Sequence, residues 1–111
     1  MFLMGPPMLE LRPNCELCDK DLPPQSTEAR ICTYECTYCA DCVENVLHNV
    51  CPTCGGGFVP RPIRPMRAWR ADRNLGLQYH PASTRRVHSK FSCEDIKAHV
   101  ERIRRIPPQD R

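Results

Sequence analysis

Apolar residues occur in short runs along this chain, and two of these runs have the spacing of a helix. The first lies within residues 41–50, where four apolar side chains recur at i, i+3, i+4 and i+7 and so share one helical face. They are Val43, Val46, Leu47 and Val50. Ahead of this helix, residues 29–34 have the composition of a β-strand. The pattern therefore predicts a small α+β domain.

The second predicted helix spans residues 92–106. Ser92 is suited to cap its amino end, with Asp95 three residues later. Its apolar face consists of Ile96, Val100 and Ile103. Arginines in the last turn complement the helix dipole, and a pair of prolines ends the helix.

Between these elements the composition changes abruptly. Residues 59–65 contain three prolines, which predict an extended segment leaving the domain. The polar, arginine-rich residues 66–91 have no clear periodicity and are expected to be loose. The predicted organisation is an N-terminal extension (1–11), a cysteine-rich module (12–60), a Pro/Arg-rich linker (61–91) and a C-terminal helix (92–106).

Charge is divided unevenly along the 111 residues, although the formal net charge is only +3. Residues 1–60 carry 3 basic and 8 acidic side chains, whereas residues 61–111 carry 13 basic and 5 acidic ones. A basic tail joined to an acidic module suggests two behaviours. We expect the tail to fold back, with the Ile96, Val100 and Ile103 face of the second helix docked on apolar residues of the module. The alternative is that the tail binds nucleic acid or another polyanion.

The nine cysteines are either disulfides or metal ligands, and the compartment decides between these chemistries. The amino-terminal residues lack the basic and apolar regions of a signal peptide. The chain also lacks a run of about 20 apolar residues that would span a membrane. We therefore expect a cytoplasmic protein without membrane contact, in which thiols stay reduced and bind metal.

Eight of the cysteines form four close pairs, three spaced C-x₂-C and one spaced C-x₃-C: Cys15/Cys18, Cys32/Cys36, Cys39/Cys42 and Cys51/Cys54. Such short spacing lets two thiolates reach one ion at about 2.3 Å in tetrahedral geometry. Thiolates favour zinc or iron–sulfur centres, and of these zinc is preferred here. The sequence thus predicts two Cys₄ sites and two Zn²⁺ per chain.

The grouping of the pairs depends on the predicted helix, because Cys39 and Cys42 would lie in its first turn, where the dipole favours thiolates. A knuckle, a hairpin and a helix that brings the second ligand pair form a treble-clef arrangement. This arrangement implies an interleaved grouping, with Cys15, Cys18, Cys39 and Cys42 at site 1 and Cys32, Cys36, Cys51 and Cys54 at site 2. The alternative is sequential, with the first four and the last four cysteines grouped.

The full spacing, C-x₂-C-x₁₃-C-x₃-C-x₂-C-x₂-C-x₈-C-x₂-C, resembles the cross-brace pattern of RING fingers. Leu17, Tyr38 and Pro52 agree with that family locally. The resemblance implies that Leu17, Val46 and Pro52 would contact a ubiquitin-conjugating enzyme. The fourth ligand is cysteine where most RING fingers have histidine, and Gly55 follows the last ligand where a basic residue is common. Residues 8 to about 65 also resemble a small bacterial family known only as a cysteine-rich domain of unknown function.

All-cysteine sites leave no coordination position for a substrate, so the sequence favours a non-enzymatic adaptor or regulatory module that binds a protein partner. Two alternatives are an E3-like ubiquitin ligase and a nucleic-acid-binding protein that uses residues 61–111. Cys93 is left over from the eight and is expected to have no role. Leu17, Val46 and Pro52 are expected to pack in the core rather than to form a docking surface.

Overall fold

A three-stranded antiparallel sheet and two helices form the fold in the computed structural model, which describes residues 8–111. Strand β1 (Ala29–Ile31) lies at the centre, between β2 (Thr37–Cys39) and β3 (Val59–Pro60). The pairing places Ala29 opposite Cys39 and Ile31 opposite Val59. Residues 1–7 of the predicted N-terminal extension lie outside the described residues.

The predicted helix at 41–50 is present, but it ends earlier than predicted and most of it is π-helical rather than α-helical. Helix α1 (Ala40–Cys42) follows β2 directly and continues as a π-helical turn, Val43–Leu47. A π-helical turn holds more residues than an α-helical turn, so side chains three apart no longer share a face. Val43 and Leu47 are buried, whereas Val46 is 48% exposed. The prediction that Val46 belongs to the buried face is therefore wrong.

The core lies where the sheet, the first helix and two cysteine-bearing turns meet. Tyr38 of β2 is fully buried and packs edge to face on Phe58, with ring centroids 5.5 Å apart. Around it lie Leu22, Leu47 and Val50 together with several cysteines. With so few large apolar side chains, the cysteines themselves make up a substantial part of the buried cluster, and the fold needs further stabilisation.

Helix α2 (Cys93–Ile103) confirms the predicted C-terminal helix, and the Ser92 side chain accepts a hydrogen bond from the Asp95 amide at 3.1 Å. Ile96 and Val100 are buried in the core cluster, and Ile103 packs against it. The tail therefore folds back on the module through this apolar face. Among residues 8–111, no helix combines the length and the hydropathy needed to cross a membrane.

Residues 83–89, which we call the return segment, have no regular secondary structure but are tied closely to the module. The side chain of Asn14, which is fully buried, donates to the Val87 carbonyl at 2.8 Å and accepts from the Val87 amide at 3.2 Å. Arg86 forms ion pairs with Asp19 and Asp21 at 2.9 and 2.8 Å. The expectation of a loose segment at 66–91 thus does not describe residues 83–89, because their polar groups have partners on the module.

The first basic residue of the tail is also held by the module. Arg61 follows β3 and is buried, and its guanidinium donates to the carbonyl oxygens of Arg12, Leu22 and Pro23. Because a buried polar group is costly unless it is hydrogen-bonded, these three carbonyls fix the direction in which the proline-rich segment leaves the sheet.

Substitution of Ile96 by alanine is expected to destabilise the metal-loaded chain by about 2–5 kcal/mol, since it removes a buried side chain and leaves a cavity. The matched control is Ile106→Ala, because Ile106 follows α2 and is exposed, and its expected effect is within about 0.5 kcal/mol. Urea unfolding of both variants measures the difference. Equal effects would show that α2 is not held by its apolar face.

Candidate metal centre

The first cysteine pair lies on a tight turn that directs backbone N–H groups towards sulfur. The Asp19 amide donates to the Cys15 carbonyl at 2.9 Å, and the Cys15 amide donates to the Lys20 carbonyl at 2.8 Å. Asp19 has a left-handed backbone, with φ of 67°. The Cys18 amide lies 3.5 Å from the Cys15 sulfur and donates to it. The turn thus presents both sulfur atoms on one side.

The last cysteine pair repeats this turn with the same hydrogen bonds. The Gly55 amide donates to the Cys51 carbonyl at 2.9 Å, and the Cys51 amide donates to the Gly56 carbonyl at 2.8 Å. Gly55 has the same left-handed backbone as Asp19, with φ of 78°. The Gly56 amide donates to the Cys54 sulfur at 3.3 Å. We call the two equivalent turns knuckle 1 (residues 15–20) and knuckle 2 (residues 51–56).

The two middle pairs lie on either side of β2. In the turn before β2, Glu35 has a left-handed backbone with φ of 66°, and the Tyr34 amide donates to the Cys32 sulfur at 3.3 Å. Cys39 is the last residue of β2 and the N-cap of α1, and Cys42 is the last residue of α1. The strand therefore separates Cys36 from Cys39 and sends the two pairs to different ends of the sheet.

The four sulfur atoms of Cys15, Cys18, Cys39 and Cys42 all lie within 4.8 Å of one another. The Cys18 and Cys39 sulfur atoms are 3.7 Å apart. Tetrahedral coordination with zinc–sulfur bonds of about 2.3 Å requires sulfur–sulfur separations of about 3.8 Å. The four sulfur atoms of this cluster, cluster 1, are therefore close enough to share one metal ion, and they combine cysteines in the interleaved order rather than in the sequential order.

Cluster 2 brings together the sulfur atoms of Cys32, Cys36 and Cys51, again within 4.8 Å of one another. Cys54, the predicted fourth ligand, is not within that distance of all three. It nevertheless occupies in knuckle 2 the place that Cys18 occupies in knuckle 1, and both residues are exposed. This equivalent position in knuckle 2 makes Cys54 the candidate for the fourth ligand of cluster 2.

The thiols within each cluster perturb one another strongly. Hydrogen bonds from Cys36 and Cys51 lower the pKa of Cys32 to about 2. The hydrogen bond that Cys36 shares with Cys32 raises the pKa of Cys36 to about 11. Burial raises the pKa of Cys42 and of Cys15 in cluster 1. Thiolates this close cannot all be ionised alone, and a divalent cation supplies the charge that would let them ionise together.

The three residues that the RING resemblance assigns to a partner surface differ in how far they are exposed. Pro52 is buried in knuckle 2, Leu17 is half-buried against the core, and Val46 is exposed. Packing therefore accounts for Leu17 and Pro52, in line with the expectation for them. Cys93 is exposed at the start of α2 and belongs to neither cluster.

His99 is a residue beside the clusters that sequence reasoning did not identify. Its Nε2 atom lies 2.9 Å from the Cys51 carbonyl and donates to that oxygen. Hydrogen bonds to the backbone of a ligand residue hold the ligand in position. No spacing in the sequence indicated this contact, because it depends on how α2 docks 48 residues after Cys51.

Replacement of Cys54 by serine is expected to remove one of two bound zinc ions, since three thiolates hold zinc much less tightly than four. Cys93→Ser is the matched control, because it removes an exposed thiol outside both clusters, and it should retain both ions. Zinc released to a colorimetric chelator after gel filtration measures the content. Two retained ions in the Cys54 variant would mean that another group completes cluster 2.

Comparisons with known proteins agree on one family. The family model described as "Protein of unknown function (DUF1272)" matches residues 8–64. An uncharacterized protein of Rhizobium meliloti (strain 1021) is 50% identical over 91 residues, which cover 82% of this chain and 99% of that protein. No solved structure matches the chain significantly. All eight paired cysteines fall within the part that the family model matches.

Proposed function

The chain belongs to this family of unknown function, DUF1272, and we propose that it is a non-enzymatic adaptor, stabilised by two structural zinc ions, that binds another protein. The observation that carries the proposal is the interleaving of the two cysteine clusters around one short strand. Each ion would join parts of the chain that lie far apart in sequence, which is a structural use of metal.

We propose zinc as the metal because thiolates are the only ligands that each cluster offers. Soft sulfur ligands select zinc over magnesium or calcium, and zinc takes four ligands in tetrahedral geometry, which is the number of thiolates that cluster 1 supplies. Residues Cys15, Cys18, Cys39 and Cys42 would hold the first ion. Residues Cys32, Cys36, Cys51 and Cys54 would hold the second.

The proposed fold type is RING-like, with a treble clef around the first ion. Its support is the order of the parts: knuckle 1, then the β1–β2 hairpin, then a helix whose first turn carries the second pair of ligands. Amide groups that donate to the sulfur of Cys15 and Cys54 are placed to stabilise thiolates. Four protein ligands close each site, so the zinc would have no position for a substrate or a reactive water.

A ligase function receives less support than an adaptor function. The resemblance to RING fingers would place a conjugating enzyme against Leu17 and Val46. In this chain α2 packs alongside those residues, and its Ile96 and Val100 share a cleft with them. The chain's own helix thus borders the surface that an enzyme would need, and the adaptor proposal relies on a different surface.

The adaptor proposal is tested by capturing the full chain from cells of its source after chemical crosslinking, with and without nuclease. A single protein partner that is recovered in fixed proportion and survives nuclease would support the proposal. The Cys15→Ser variant should lose that partner because its module cannot fold, while Cys93→Ser should keep it. Recovery that depends on intact nucleic acid would favour the nucleic-acid-binding alternative instead.

A further inference from the structure

The loop of residues 65–80 is held in one shape by its own backbone. The Leu77 amide donates to the Pro65 carbonyl at 2.8 Å, which closes the loop at its base. Gly76 has a left-handed backbone with φ of 92°, and a Cβ there would lie 2.7 Å from the Arg67 carbonyl oxygen. Arg64 donates to the carbonyls of His80 and Leu9, each at 2.7 Å, and so fastens the loop to the module.

This well-braced loop presents a groove of about 350 Å³ whose walls are mainly apolar. Trp69, which is 78% exposed, and Leu75 form part of it together with Met8. Arg67 and Arg70 also line the groove. A large exposed apolar surface on an ordered loop is typical of a binding site, because burial by a partner would remove it from water.

Two arginines of this groove, Arg67 and Arg70, differ from most others in the tail. Arg85 and Arg86 form ion pairs with acidic residues of the module, and Arg61 and Arg111 donate to its carbonyls. Within residues 8–111, Arg67 and Arg70 form neither an ion pair nor a side-chain hydrogen bond to another residue. Residues lining the groove in that part of the chain include no acidic one. The groove therefore keeps a local positive charge that the fold does not neutralise.

We propose that this groove binds a short acidic peptide segment of a partner protein, in which a large apolar side chain is flanked by carboxylates. The apolar side chain would lie against Trp69 and Leu75, and the carboxylates would pair with Arg67 and Arg70. The proposal rests on the proposed adaptor function and assigns a surface and a ligand chemistry to it. Tryptophan and arginine together are the residues that most often dominate binding at protein interfaces.

A nucleic acid is the less suitable occupant, although arginine and tryptophan can contact phosphates and bases. Binding of a long polyanion depends on many phosphate contacts. Five of the eleven tail arginines already have partners in residues 8–60, and three more pair with acidic residues of the tail itself. The adjoining module carries 8 acidic and 3 basic side chains in residues 1–60, which would repel the rest of the strand. A short segment with two or three carboxylates matches the small charged area that is left.

The experiment selects peptides from a random display library on the zinc-loaded full chain and then titrates the enriched peptides. Trp69 is the single tryptophan, so its fluorescence reports binding directly. We expect enriched peptides to combine acidic residues with a large apolar residue and to change this fluorescence. Arg67→Glu with Arg70→Glu should weaken binding at least about tenfold, since charged hydrogen bonds are lost. Arg102→Glu, on α2 and outside the groove, should not.

Several results would overturn the proposal. Enriched peptides that lack acidic residues would place binding elsewhere and leave the adaptor function standing. The same follows if they bind the Arg67/Arg70 variant, or the Trp69→Ala variant measured by calorimetry because it has no tryptophan, as tightly as the native chain. A tighter response to a single-stranded oligonucleotide would assign the groove to nucleic acid. If the Trp69 fluorescence of the chain alone depends on its concentration, the groove is occupied by a second copy of the chain. If that fluorescence changes when residues 1–7 are deleted, the groove is occupied by the chain's own amino end.

Discussion

Removal of metal by a strong chelator under reducing conditions is expected to unfold the whole module rather than one turn of it. A structural zinc site contributes about 10 kcal/mol or more of folding free energy. Typical domains have a net stability of about 5–15 kcal/mol, so losing two sites exceeds what the remaining contacts supply. The apolar core here is small, and cysteines fill part of it. Far-ultraviolet circular dichroism and the dispersion of the amide spectrum measure the loss.

Added zinc should restore both signals, whereas added magnesium should not, because magnesium binds thiolates poorly. The stoichiometry of restoration is expected to be two ions per chain, with the second ion bound cooperatively. A metal-free chain that kept its native amide spectrum would show that packing alone holds the fold, and the structural role proposed for the clusters would then be wrong.

Replacement of Cys39 by serine is expected to release the metal of cluster 1 and to weaken that of cluster 2. Cys39 ends β2, and the same three-residue strand begins one residue after Cys36 of the other cluster. Loss of order at one end of so short a strand is therefore transmitted to the other end. Brief alkylation followed by mass spectrometry identifies the cysteines that become reactive first.

The interleaved grouping predicts that the first cysteines alkylated in this variant are those that share cluster 1 with residue 39: Cys15, Cys18 and Cys42. The sequential grouping predicts Cys42, Cys51 and Cys54 instead. Cys93→Ser serves as the control, since it should leave all eight paired cysteines protected. Early alkylation of knuckle 2 before knuckle 1 in the Cys39 variant would contradict the interleaved account.

The cysteine pairs and both helices could be predicted from the sequence because their signals are local. A C-x₂-C spacing places two sulfur atoms on one turn whatever surrounds it, and both knuckles have the same hydrogen bonds. Ser92 and Asp95 mark the start of α2 within four residues. The apolar face of α2 and the opposite charges of tail and module also led to the prediction that the tail docks, which the fold bears out.

Features that depend on three-dimensional context could not be predicted in the same way. The π-helical turn that exposes Val46 leaves the apolar periodicity of the sequence unchanged. The return segment appears featureless as a sequence, because its order comes from Asn14 and Asp19, which lie more than 60 residues away. Spacing also assigns Cys54 to cluster 2 without revealing that its sulfur does not lie within 4.8 Å of all three sulfur atoms already gathered there.

The tail has two parts with different uses under this account. The return segment and α2 complete the module, through ion pairs at Arg86 and apolar contacts at Ile96. The loop at 65–80 exposes the apolar and positively charged side chains of its groove to solvent, where a partner can contact them. A basic tail is thus not a uniform polyanion-binding surface, since the fold itself neutralises much of its charge.

The measurement that tests the central claim most directly is cadmium NMR of the cadmium-substituted chain, with each metal nucleus correlated to the cysteine β-protons that couple to it. Cadmium replaces zinc at thiolate sites, and the correlations name the ligands of each ion. We predict two metal signals, one coupled to Cys15, Cys18, Cys39 and Cys42 and the other to Cys32, Cys36, Cys51 and Cys54. A single signal, or a signal that couples to Cys15 and Cys32 together, would contradict the interleaved two-site structure.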